Sequence, residues 1–219
     1  MHNTVQKYKD ISSSIVLKLE GQKNKKLPKI IAVSKTFSID KIIPLIDYGH
    51  TDYGENKVQE AIDKWSKIKI DNSKIKLHLI GKLQTNKVKF AIKIFDYIHS
   101  LDSQKLAKKI ADEEIKQNKK VKIFIQVNIG NEEQKSGVNK NELIDLYTYC
   151  KQLKLDVVGL MCIPPEKDDP DKYFNETNLL NQKLNLSELS MGMSSDYLNA
   201  VENSSTYLRI GSSIFGYRS

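Results

Sequence analysis

Hydrophobic positions along this chain switch repeatedly between two periods. Short runs, most of them containing β-branched residues, occur at 30–34, 51–53, 76–80, 97–100, 121–127, 156–160, 188–190 and 207–210. Between them lie stretches in which apolar residues recur every three or four positions, the spacing of an amphipathic helix. These stretches are 39–48, 58–68, 85–94, 103–117, 140–152, 171–184 and 196–202, with one more at 4–19 ahead of the first run. Ser38, Ser103 and the pair Asn139 and Glu142 stand where helix caps are wanted. Strict alternation of strand and helix demands parallel pairing, because each crossover returns the chain to the same edge. Eight strands in 219 residues predict an α/β fold, a single (β/α)8 TIM barrel over 1–219 with an extra N-terminal helix. An open doubly wound sheet is the rival arrangement.

Composition narrows the classes of function. No apolar run approaches the roughly 20 residues of a membrane span, and the N-terminus has no apolar core of a secretory signal. Cys150 and Cys162 alone cannot form a disulfide framework, and no Cys/His cluster has metal-ligand spacing. A cytoplasmic protein with no membrane partner and no metal is expected. The formal net charge of +8 suggests nucleic acid, but of 35 basic residues only Arg209 and Arg218 are arginines. Readers of nucleic acid cluster their charge and favour arginine for bidentate contacts, so no nucleic-acid partner is expected.

In a parallel barrel, chemistry gathers at the C-terminal strand ends, and this chain places its small, polar and charged clusters there. Lys35 follows the first run directly, and with a period of two it shares a face with Ile31 and Val33. Such a lysine either meets water at the end of the strand or offers a desolvated amine for a Schiff base. Gly192 to Ser195 and Gly211 to Ser213 are small-residue turns after the last two strand candidates, each ahead of a helix. Backbone N–H groups there can converge on a phosphate. Arg209 shares a face with Gly211 and either points toward what that turn binds or forms a surface ion pair. Asn56 is open in the same way. His78, inside its apolar run, is either a hydrogen-bonded core histidine or a group of the site.

The runs Ile31-Ala32-Val33-Ser34-Lys35-Thr36, Tyr53-Gly54-Glu55-Asn56-Lys57-Val58-Gln59-Glu60 and His78-Leu79-Ile80-Gly81-Lys82-Leu83-Gln84-Thr85-Asn86-Lys87 carry a resemblance. It continues through Gln126-Val127-Asn128, Lys135-Ser136-Gly137, Gly159-Leu160-Met161, Ser190-Met191-Gly192-Met193-Ser194 and the segment from Arg209 to Gly216. In order and spacing the chain resembles the pyridoxal phosphate homeostasis proteins (the YggS/PROSC family) over nearly its full length. The resemblance implies a barrel of the alanine-racemase N-terminal type that binds pyridoxal 5′-phosphate (PLP). Lys35 would be the aldimine lysine, Ser194, Gly211 and Ser212 phosphate contacts, Asn56 a lining residue and Arg209 the partner of the pyridine nitrogen. His78 and Met193, from the same strand-end stretches, complete the expected cofactor-binding set. Members are described as cofactor carriers without established catalysis, so storage or delivery of PLP is expected, with PLP-dependent apoenzymes as recipients. The alternative is a racemase-like PLP enzyme. Such racemases close their site with a further β-domain. The end of this chain at Ser219 leads us to expect an open site, a monomer and no enzyme activity. Many members have glycine where Ser204 stands, and an arginine shortly before the first strand where this chain has Lys25, Lys26 and Lys29.

Overall fold

A computed structural model describes residues 2–21 and 26–216, so Lys25, Arg218 and Ser219 lie outside the described residues. The chain begins with helix α1 (Asn3–Leu19) and then alternates strand and helix. The order is β1 (Lys29–Val33), α2 (Ile39–Asp47), β2 (Asp52–Glu55), α3 (Val58–Asp71), β3 (Lys76–Leu79), α4 (Val88–Ile94), β4 (Tyr97–Leu101) and α5 (Gln104–Gln117). It continues with β5 (Lys122–Val127), α6 (Leu143–Gln152), β6 (Asp156–Cys162), α7 (Pro170–Lys183), β7 (Glu188–Ser190), α8 (Tyr197–Glu202), β8 (Tyr207–Ile210) and α9 (Ser212–Phe215). Each strand pairs in parallel with its neighbour in sequence. β8 closes on β1 with Ile31 opposite Arg209, so the sheet is a barrel and the open-sheet alternative is excluded.

All eight expected strands are present, each within three residues of the predicted bounds. The helix expected from 85 begins as a 3-10 turn (Thr85–Lys87), and the one expected from 140 does likewise (Lys140–Glu142). Ser103 caps α5 by accepting from Leu106 N–H at 3.3 Å. Ser38 makes no side-chain cap bond to α2, and Asn139 bonds Glu142 side chain to side chain at 3.5 Å rather than capping the backbone. Ser204, just after α8, has φ of 69°, the left-handed region where glycine is favoured.

The period of two sorts the strand side chains into two cores. One lies between sheet and helices and includes Ala32, Tyr53, Trp65, Leu77, Leu79 and Ile98. The other lies inside the barrel, built on Ile31, Tyr97, Phe124, Met161 and Tyr207. Inward-facing residues therefore include Ile31 on β1, and the next two in phase are Val33 and Lys35. Among the described residues no helix is long and apolar enough to cross a membrane.

Candidate functional site

A cavity of about 670 Å³ opens at the C-terminal mouth of the barrel. Val33, Phe37, Ile80 and Ile163 supply apolar wall, and Lys35, Asn56, Met193, Ser194, Arg209, Gly211 and Ser212 all line it. Seven of the eight expected site residues are thus brought together from four strand ends. The eighth is not. His78 is fully buried below the cavity and stacks on Tyr97 with ring centroids 4.2 Å apart. It bonds His99 and Asp52 instead, which corrects its expected place in the site.

Lys35 sits on a turn whose shape is imposed from α3. Thr36 adopts φ of 67°, which a β-branched residue avoids unless its surroundings force it. The Thr36 N–H donates to Glu60 Oε1 at 2.5 Å. Lys64 donates to the Ser34 carbonyl, to Glu55 Oε1 and to Glu60 Oε1 at 2.9, 2.9 and 3.1 Å. Glu55, fully buried, also accepts from Ser34 Oγ at 2.7 Å and Trp65 Nε1 at 2.9 Å. Helix α3 therefore grips the chain on both sides of Lys35. Across the mouth, a Cβ at Gly81 would run into the Asn56 carbonyl, so only glycine lets that wall of the cavity close.

The turns after β7 and β8 meet on one hydroxyl. Ser194 Oγ accepts from Gly211 N–H and from Ser213 N–H, both at 3.4 Å. An oxygen atom thus already occupies the point where these donors converge. The Met193 N–H is taken by Asp196 Oδ1 at 2.6 Å, which leaves Met193 as wall rather than donor. The helices these turns precede, α8 and α9, have six and four residues. Their macrodipoles are too short to add much, so attraction for an anion rests on the N–H and hydroxyl groups.

Arg209 is 5% exposed and is not the surface ion pair that its position also allowed. Nη1 donates to Ser190 Oγ at 2.7 Å and Nη2 to the Cys162 carbonyl at 2.8 Å. No carboxylate pairs with it among the described residues. Burial lowers its pKa from the usual arginine value, but a guanidinium stays charged at any working pH. A buried cation without a counter-ion in an open cavity calls for an acceptor from outside the chain. An amine, a buried guanidinium and a hydroxyl-lined N–H cluster within one 670 Å³ space fit a small aldehyde that carries a phosphate and a ring acceptor. PLP is such a molecule. Glu55, Glu60 and Ser190 escaped the sequence reading as site-forming residues. Glu55, Glu60 and Ser190 all lie inside the motif stretches, which is the one signal that pointed to them.

The family model for the alanine racemase N-terminal domain matches residues 18–219. The chain is 36% identical over 201 residues to the pyridoxal phosphate homeostasis protein of Pasteurella multocida, covering 87% of this chain and 86% of that one. It is 38% identical over 200 residues to the protein of the same name from Aquifex aeolicus, with 87% of each covered. Among solved structures, PipY of Synechococcus elongatus with PLP bound superposes with a TM-score of 0.82 at 32% identity, over 93% of this chain and 99% of that one. An alanine racemase from Clostridium difficile superposes with a TM-score of 0.77 at 15% identity, over 99% of this chain and 57% of the racemase. At that identity the likeness concerns the fold alone.

Proposed function

The chain belongs to the family of pyridoxal phosphate homeostasis proteins, built on the alanine racemase N-terminal domain, and from that premise we propose that it binds PLP, stores it and releases it to PLP-dependent apoenzymes. The observation that carries this reading is the single cavity that gathers Lys35, Arg209 and the Ser194–Gly211–Ser212 cluster. When bound, the cofactor supplies a reactive aldehyde and an electron-withdrawing ring. Lys35 presents the primary amine to that aldehyde from a turn held rigid by Glu60 and Lys64. Ser194, Ser212 and the N–H groups of Gly211 and Ser213 would hold the phosphate by charge-assisted bonds. Asn56 and Ile80 would wall the ring, and Arg209 would face its nitrogen. A permanent cation there disfavours a proton on that nitrogen, which weakens the ring as an electron sink and favours carriage over turnover.

The test is reconstitution with PLP, borohydride reduction and peptide mapping. We expect a visible absorption band that disappears on reduction, and a stable adduct on Lys35 that Lys35→Ala abolishes while the fold is kept. An adduct on another lysine would remove Lys35 from its role. Rapid racemisation of common amino acids by the loaded protein would overturn the carrier reading.

A further inference from the structure

The cavity floor is joined to the far end of the barrel by a single file of polar groups through its interior. We propose that His99 is a positioning residue for the cofactor cavity, acting through Ser190 on Arg209 and held in one tautomer by His78 and Asp52. The proposal rests on the reading that Arg209 faces a bound cofactor.

The direction of every bond follows from the end that has no choice. Arg209 can only donate, so Ser190 Oγ, 2.7 Å from Nη1, accepts. The hydroxyl proton of Ser190 then goes to its other partner, His99 Nδ1, at 2.8 Å. A neutral imidazole that accepts at Nδ1 carries its proton on Nε2. His99 Nε2 lies 3.0 Å from His78 Nδ1, so His78 accepts there and carries its own proton on Nε2. That proton meets Asp52 Oδ1 at 3.1 Å, while Thr51 Oγ1 donates to Oδ2 at 2.6 Å. Each link has one donor and one acceptor. The reverse tautomer of His99 would leave the Ser190 hydroxyl proton without an acceptor among the described residues, a cost that buried groups avoid.

The burial of the series makes its order consequential. His78, His99 and Ser190 are fully buried. His78 lies on Tyr97, and His99 on Phe124 at 4.3 Å between centroids, so both ring planes are fixed. Burial holds both imidazoles below their usual range, as two neutral rings in series require. Barrel interiors of this kind are ordinarily filled by branched aliphatic side chains. Here the polar series ends on the cation that lines the cavity. Its terminal nitrogens are tied to β7 through Ser190 and to β6 through the Cys162 carbonyl, which fixes the plane of the guanidinium.

Nitrogen-15 NMR of histidine-labelled, cofactor-free protein tests the tautomers directly. We expect unprotonated Nδ1 on His78 and His99, and a changed His99 signal in Ser190→Ala. In loaded protein, Ser190→Ala should weaken PLP binding by roughly five- to tenfold and move its visible band, and Ser190→Thr, which keeps the hydroxyl, should restore both. Asp52→Ala should move the band in the wild-type background and leave it unmoved in Ser190→Ala. A protonated His99 Nδ1, or an unchanged band and affinity in Ser190→Ala, would overturn the proposal. If the wild type took up no PLP, the cofactor reading would fail on its own, and the NMR tautomers would still decide whether the series exists.

Discussion

At the scale of single residues, the site is defined by donors whose partners are neutral oxygens. Arg209 is the plainest case, since its charge is buried and the hydrogen bonds of Nη1 and Nη2 go to the neutral oxygens of Ser190 and Cys162. Ser194 is subtler. Its hydroxyl occupies the focus of the Gly211 and Ser213 N–H groups at 3.4 Å, long enough that a phosphate oxygen would make the better acceptor. Ser194→Ala should therefore weaken PLP by about 1 kcal/mol or somewhat more, while pyridoxal without phosphate, which we expect to bind far more weakly, should change little. Absorbance titration of both vitamers measures the difference. Equal affinity for the two vitamers in the wild type would remove the phosphate from this turn.

At the scale of elements, strand ends alone do not place the amine; a helix does. α3 reaches from β2 back to β1 through Glu55, Glu60 and Lys64, and the contact that matters most is buried. Glu55 has no exposed side-chain surface and Lys64 is 10% exposed, at 2.9 Å. Removing one partner of a buried pair typically costs about 3–5 kcal/mol, and here the low end applies, because Lys64 keeps Glu60 at 3.1 Å. Glu55→Ala should lose that much in urea unfolding, and Glu55→Gln less, because an amide still accepts from Trp65 and Ser34. A loss no larger than that of a surface substitution would show that the grip on Lys35 lies elsewhere. The strands, the barrel and the gathering of seven of the eight expected residues at one cavity were legible because periods of two and 3.6 are local and the polar clusters lie at strand ends. The grip on Thr36 was not, since Glu60 and Thr36 are 24 positions apart and no pattern joins them. His78 was misplaced for a related reason. Its place within an apolar run left a core histidine and a group of the site both open, and only the stagger between strands decides whether an inward residue reaches the cavity or lies a layer beneath it.

At the scale of the whole molecule, the barrel axis carries a charge state that folding imposes. His78 and His99 are held neutral, His99 well below the ordinary imidazole value of 6.5, and desolvation is the leading cause for both. Around His78 the carboxylates of Asp52 and Asp96 favour its protonation, and Lys29 opposes it, with Tyr97 and Tyr207 as neutral neighbours. Around His99, the charge of Arg209 and any charge on His78 both oppose protonation, and Phe124 and Tyr207 pack on it. The sign follows from proton counts. Below about pH 6.5 an unfolded histidine binds a proton that the folded one refuses, so the unfolded state gains protons and stability falls as pH falls. Above that value both states are neutral at these positions and the stability is fully present. The two residues together should cost roughly 1–2 kcal/mol between pH 6.5 and 5.5. Burial, the largest single influence on Asp52, raises its pKa, but the contacts with His78, Thr51 and His50 together hold it below the usual carboxylate range, so it adds a loss in the same direction only at lower pH, as the carboxylate itself takes a proton. Urea unfolding of the cofactor-free protein at pH 7.5, 6.5 and 5.5 measures this, with His99→Gln flattening the dependence. Stability unchanged from pH 7.5 to 5.5 would mean that the buried imidazoles accept their protons in place. The ordered file from Asp52 to Arg209 would then not survive intact at the lower pH.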